Sequence, residues 1–152
     1  MAGTMLVRDY MTTNVTALQE SDTLLDATMV FVRSTVRHLP VLRGKVLVGV
    51  ITERDAKRFA PSILSGMSQE GYNQVMETTP LSRVMTRDPL TVGPDQTMHE
   101  AALTVAKRRI GCLPVVEGGE LKGIITTTDF IRMLISLLEA QQAAPAGSAS
   151  TH

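Results

Sequence analysis

The sequence predicts a mixed α/β fold made of two successive β-α-β-β-α units. Three observations carry that reading. Residues 23–55 recur as residues 97–129 at a constant offset of 74 positions, and 11 of the 33 pairs are identical, among them Leu39-Pro40-Val41 with Leu113-Pro114-Val115 and Ile51-Thr52 with Ile125-Thr126. Apolar spacing changes from a helical to a strand period at the same place in both copies. Each copy then closes on Thr-x-x-Asp, from Thr52 to Asp55 and from Thr126 to Asp129, directly after a glycine-containing apolar strand.

Taken in order, short strands over residues 15–17 and 90–92 open the copies after Met11-Thr12 and Met85-Thr86. A helix follows. In the second copy Met98, Ala101, Ala102, Val105 and Ala106 recur at helical spacing behind Thr97-x-x-Glu100, a capping box. In the first copy Thr23-x-x-Asp26 plays that part, with Leu24, Leu25, Thr28, Met29, Phe31 and Val32 on one broad face. Residues 39–42 and 46–51 read as two strands around the turn Arg43-Gly44, and residues 113–116 and 121–125 repeat them around Glu117-Gly118-Gly119. A second helix starts at each Thr-x-x-Asp. The organisation is therefore a first repeat over 5–58, a linker over 59–80 with a short helix near 71–76, and a second repeat over 81–138. The end of the last helix and a disordered Ala/Ser/Gly/Pro tail occupy 139–152. One such unit is too small to bury its apolar sheet face alone, so the copies are expected to pack on each other.

Composition narrows the function. Fifteen Lys and Arg balance fifteen Asp and Glu, which leaves no global field to hold nucleic acid. Five aromatic residues and no Trp make an extended stacking platform impossible. The lone Cys112 has no disulfide partner and is read as a small buried apolar residue, and the start shows no secretory pattern; a cytoplasmic protein is expected. The most apolar window, residues 130–138, is nine residues long and interrupted by Arg132, so no membrane insertion is expected. Phe130, Ile131, Met133, Leu134, Ile135, Leu137 and Leu138 nevertheless wrap most of that helix, which one core cannot cover, and a homodimer follows. Phosphate-loop and dinucleotide glycine motifs are absent, and His38, His99, Cys112 and His152 have no metal-ligand spacing. Catalysis is the weakest reading, and neither a metal nor a required cofactor is expected.

Each Thr-x-x-Asp stands where a strand turns into a helix, a place that favours an anion, and the two acceptor oxygens of Asp55 or Asp129 suit a pair of ribose hydroxyls. The alternative is a capping box that only starts the helix. Both remain open on the residues alone. Lys107-Arg108-Arg109 ends a helix, where solvated charge meets the negative end of the dipole.

The duplicated order of Met-Thr, Leu-Pro-Val, Gly-x-x-Thr and Thr-x-x-Asp resembles a tandem pair of cystathionine-beta-synthase (CBS) domains, a Bateman module, over about residues 5–138. The linker, with Ala60-Pro61-Ser62 and Tyr72-Asn73, is similar to that of bacterial acetoin-utilisation-type CBS proteins, without room for the C-terminal regulatory domain that many of those carry. The resemblance implies two repeats packed about a pseudo-twofold axis, two clefts between them, and a flat dimeric disc of two such pairs. It implies adenosyl ligands there: AMP, ADP, ATP or S-adenosylmethionine, acting as regulatory ligands. By the same resemblance Asp55 and Asp129 take ribose, while Thr52, Thr126, Thr128, Arg37 and His38 meet phosphate. Val15 and Leu90 wall the adenine, with plain core as their other reading. Arg37-His38 faces Gly111-Cys112 in the other copy, so the two clefts are expected to be unequal. The expected function is a regulatory module that senses nucleotide and signals to an enzyme or transporter partner or through its own dimer; the rival is a constitutive scaffold whose clefts stay empty.

Overall fold

The computed structural model describes residues 3–143, so the tail beyond lies outside the described residues. In chain order the helices are α1 (Val7–Tyr10), α2 (Leu24–Arg33), α3 (Glu53–Phe59), α4 (Gln69–Thr78), α5 (Leu81–Val84), α6 (Met98–Arg108) and α7 (Thr127–Gln142). The strands are β1 (Leu18–Gln19), β2 (His38–Arg43), β3 (Val46–Thr52), β4 (Thr86–Arg87), β5 (Cys112–Glu117) and β6 (Glu120–Thr126). One sheet runs β1-β2-β3-β6-β5, with β4 added on β3. The antiparallel hairpins β2-β3 and β5-β6 are its two halves, joined where Val46 meets Glu120. Gly44 and Gly118 turn the hairpins at φ 64° and 61°, a left-handed backbone open to glycine at little cost.

The pseudo-twofold relation shows in the pairings, which come in couples 74 residues apart. Leu6 bridges Thr97 as Pro80 bridges Thr23, Thr12 bridges Ile124 as Thr86 pairs with Val50, and Leu18 pairs with Val41 as Val92 bridges Val115. The first two couples cross between repeats. Val7 N–H donates to Gln96 O at 2.8 Å, Met98 N–H donates to Met5 O at 2.8 Å, and Arg8 pairs with Asp95. Reciprocally, Leu81 N–H donates to Asp22 O at 2.8 Å and Leu24 N–H to Thr79 O at 2.9 Å. The core follows the same exchange. Leu81, Val84 and Met85 are buried with Leu24, Phe31, Leu39 and Ile51, whereas Val7 is buried with Met98, Ala101, Leu113 and Ile125. Each repeat is thus completed by a segment that stands just before the other in sequence. The linker also contributes, since Met76 on α4 is buried in the first core.

Three local expectations are corrected. The strand expected over residues 15–17 forms instead at Leu18–Gln19, and the one expected over residues 90–92 reduces to the single bridge at Val92. Val15 packs on Val50, Cys112 and Ile124, a small cluster drawn from both repeats, so its apolar character serves that inter-repeat wall and not a sheet ladder. At Thr97 only half of the capping box forms: Thr97 Oγ1 accepts from Glu100 N–H at 3.0 Å, while the Glu100 carboxylate accepts from Gln96 Nε2 at 3.1 Å. On α7, Phe130 and Met133 pack on the second core, and Ile131, Leu134, Ile135, Leu137 and Leu138 stay exposed.

Candidate functional site

Because each repeat borrows the segment before the other, two clefts open between the repeats, each with walls from both. The first, about 1020 Å³, joins the end of β3 and α3 to residues 86–90 and 109–114. The second, about 450 Å³, joins the start of α7 to residues 12–16 and 35–38. Asp55 and Thr52 lie in the first with Leu90; Asp129, Thr126 and Thr128 lie in the second with Val15. Arg37 and His38 line both. Each aspartate therefore faces an apolar residue contributed by the opposite repeat.

The local chemistry of the two aspartates shows how a cap and a binding group can be one residue. Asp55 Oδ2 accepts from Thr52 N–H at 3.1 Å, and Asp55 N–H donates to Thr52 Oγ1 at 3.0 Å. Among the described residues Oδ1 meets only Arg58, at 3.4 Å. Asp129 repeats half of that arrangement: its Oδ2 accepts from Thr126 N–H at 2.8 Å and from Thr126 Oγ1 at 3.3 Å, while its Oδ1 accepts from Thr12 Oγ1 at 2.9 Å and lies 3.5 Å from Arg132. Thr12 stands in the segment exchanged from the first repeat. Asp129 is 3% exposed, the buried charge that Thr12 and Arg132 stabilise. In both, one carboxylate oxygen starts the helix, while the other is held by Arg58 at Asp55 and by Thr12 and Arg132 at Asp129.

Arg37 is more committed than a free phosphate ligand would be. Its guanidinium donates to the carbonyls of Phe31, Ser34 and Val36 at 3.2, 3.2 and 2.8 Å, and pairs with Glu53 at 3.2 Å. His38 is half-buried; burial holds its imidazole below the ordinary range, while the charge of Asp55 pulls the other way. Cys112 is buried, and burial pushes its thiol up to about 12, which makes it an inert part of the wall.

Several lining residues escaped the sequence reading. Arg54, Lys57, Arg58 and Arg109 surround the first cleft, and Asn14, Thr35 and Arg132 the second. Arg109, read as solvated charge, caps α6 in a left-handed conformation at φ 53° and lines the first cleft. Thr12 and Thr86 carried a usable signal, since each is the Thr of a repeated Met-Thr pair. Among the described residues no group of His, Cys, Asp and Glu could hold a metal ion, and no helix is long and apolar enough to cross a membrane.

Comparison with known proteins gives these clefts a context. The family model described as "CBS domain" matches residues 7–62 and 81–136. A crystal structure of a Vibrio cholerae protein named for acetoin utilization (AcuB) superposes with a TM-score of 0.79 at 35% identity, covering 94% of this chain and 99% of that one. The Arabidopsis thaliana protein CBSX2, solved in complex with AMP, superposes with a TM-score of 0.73 at 26% identity, covering 88% and 98%. The inosine-5'-monophosphate dehydrogenase of Korarchaeum cryptofilum is 33% identical over 84% of this chain, which spans only 23% of that enzyme's length. The next two curated relatives are likewise less than half spanned.

Proposed function

Because the chain belongs to the CBS-domain family, with one match in each repeat, we propose that it is a regulatory module which binds adenosyl ligands in its two inter-repeat clefts. The observation that carries this is the reciprocal build of the clefts. In each, a carboxylate fixed at a helix start by its own cap faces an apolar side chain of the other repeat, Asp55 with Leu90 and Asp129 with Val15. A carboxylate whose second oxygen is held by side-chain donors, Arg58 at Asp55 and Thr12 with Arg132 at Asp129, suits vicinal hydroxyls that replace those donors, and an apolar wall suits the base. The AMP complex of CBSX2 supports the same class of ligand. Thr52 and His38 are the phosphate contacts of this reading, and Thr126 and Thr128 are hydroxyl donors beside Asp129 in the second cleft; Arg37, tied to Glu53, shapes the wall between the clefts.

The output is binding, not turnover. Ligand that touches both repeats shifts their relative orientation by as much as it prefers one orientation over another. The exposed face of α7 then carries the signal to a second copy of the chain, and through that dimer to a regulated enzyme or transporter.

A thermal-shift panel of AMP, ADP, ATP, S-adenosylmethionine and NAD tests the proposal. Saturation at 100-fold over Kd stabilises the folded state by about 2.7 kcal/mol, or roughly 5–10 °C for a chain of this size. Asp55→Asn and Asp129→Asn, which keep a capping oxygen, should each reduce the shift. Silence with every compound would favour the scaffold with empty clefts, for which the apolar α7 face is the supporting observation.

A further inference from the structure

We propose that the two clefts are specialised for different adenosyl ligands: the Asp55 cleft takes phosphorylated nucleotides through Arg54 and Arg109, and the Asp129 cleft takes an adenosyl ligand without phosphate. This rests on the adenosyl reading above and adds to it which ligand goes where. Equivalent positions of the two repeats differ in charge. Under the 74-residue offset, Arg54 corresponds to Thr128 and Arg109 to Thr35, and each of the four lines its own cleft. The first cleft thus carries two arginines where the second carries two threonines.

Pairing sharpens the contrast. Five cationic side chains line the first cleft, but Arg37 and Lys57 are paired with Glu53, and Arg58 with Asp55. Arg54 and Arg109 have no carboxylate within ion-pair distance among the described residues and are exposed to the cleft mouth. In the second cleft Arg132 is paired with the buried Asp129, and Arg37 is common to both clefts and discriminates neither. Asp88, the equivalent of Asn14 of the second cleft, runs the other way, yet five cations against three carboxylates leave the first cleft more positive than the second, where two cations meet one carboxylate. Volume points in the same direction, about 1020 Å³ against about 450 Å³. An unpaired guanidinium is a planar fork that matches phosphate oxygens and is open to an arriving anion. The expected asymmetry between clefts is therefore real in charge but carried by Arg54 and Arg109, not by Arg37-His38.

Calorimetry on the full chain with AMP and with adenosine separates the possibilities. In the wild type AMP should bind one site per chain at least tenfold more tightly than adenosine does, and that excess should shrink between about 20 and 300 mM salt, as screening requires. Arg54→Thr and Arg109→Asn, the second chosen because Asn tolerates the left-handed backbone, should each weaken the tight AMP class about tenfold and leave the adenosine isotherm within twofold. Thr128→Arg should raise AMP affinity in the other cleft. Two equal AMP sites, or a double Arg54→Thr/Arg109→Asn variant that binds AMP as the wild type does or loses AMP and adenosine by the same factor, overturns the specialisation while the adenosyl reading stands. Failure of both AMP and adenosine to bind the wild type overturns that reading and the specialisation with it.

Discussion

Replacing Gly123 by alanine probes the exchange of segments on which both clefts depend. A Cβ on Gly123 would lie 2.8 Å from Met11 Sδ, 3.0 Å from Met11 Cγ and 2.9 Å from Thr12 O. The methionine can swing away; the carbonyl cannot do so freely, because Thr12 O accepts from Ile124 N–H and Thr12 N–H donates to Ile124 O, both at 2.9 Å. To reach ordinary contact the crossing segment must retreat by about half an ångström. Overpacking of this kind costs about 1–3 kcal/mol, and stretching two backbone hydrogen bonds adds about 1 kcal/mol. The total of about 2–4 kcal/mol corresponds to a Tm lowered by roughly 5–15 °C. Gly49→Ala should behave alike, since its Cβ would lie 2.8 Å from Thr86 O. Gly93→Ala is the control: its nearest neighbour would be Gln96 Oε1 at 3.9 Å, and its effect should stay within about 0.5 kcal/mol. Thermal or urea unfolding measures all three. A Gly123→Ala protein that melts within 2 °C of the wild type, or one restored fully by Met11→Ala, would refute the claim that the Thr12 carbonyl is the wall.

Other consequences are testable in parallel. Burial lowers the proton affinity of His38 in the folded chain relative to an ordinary imidazole near 6.5, so the unfolded state binds more protons as pH falls. The stability this group contributes is present above that value and lost as pH drops through the folded one; urea midpoints at pH 7.5 and 5.5 should converge in His38→Gln. Cys112, its thiol pushed up to about 12, should resist iodoacetamide at pH 8 in the native protein and react after unfolding. Leu134 and Ile135 are each 49% exposed on α7, and Leu134→Glu with Ile135→Glu should shift the chain to a monomer by light scattering at micromolar concentration with its melting intact.

What the sequence made legible was what local residues dictate. The hairpins at residues 39–51 and 113–125, the helix starts at Thr23, Thr52 and Thr126, and the pseudo-repeat itself all follow from spacing and capping within a few positions. The exchange of segments was not legible, because Met5 to Thr12 and Thr79 to Arg87 carry no local mark of which repeat they complete. Nearness in the chain argues for the wrong partner. Yet a trace exists: glycine in the middle of β3 and of β6, Gly49 and Gly123, weakens a strand unless another backbone must come close. Arg109 was hidden for a different reason. Its charge at a helix end has an ordinary electrostatic explanation, and only the left-handed backbone at φ 53° turns it into a cleft wall.

The difference between Arg37-His38 and Gly111-Cys112 then acquires a steric meaning. A Cβ on Gly111 would lie 2.6 Å from His38 Nε2 and 2.9 Å from His38 Cε1. The imidazole of one repeat occupies the space that the other repeat leaves empty, between two clefts that it lines at once. A side chain at position 111 would have to displace that imidazole, so the glycine of one copy makes room for the histidine of the other. The difference between the copies at this position bears on how the repeats pack on each other. One imidazole thus stands at the edge of both clefts, and an anion entering the Asp55 cleft would favour its positive form within reach of the other.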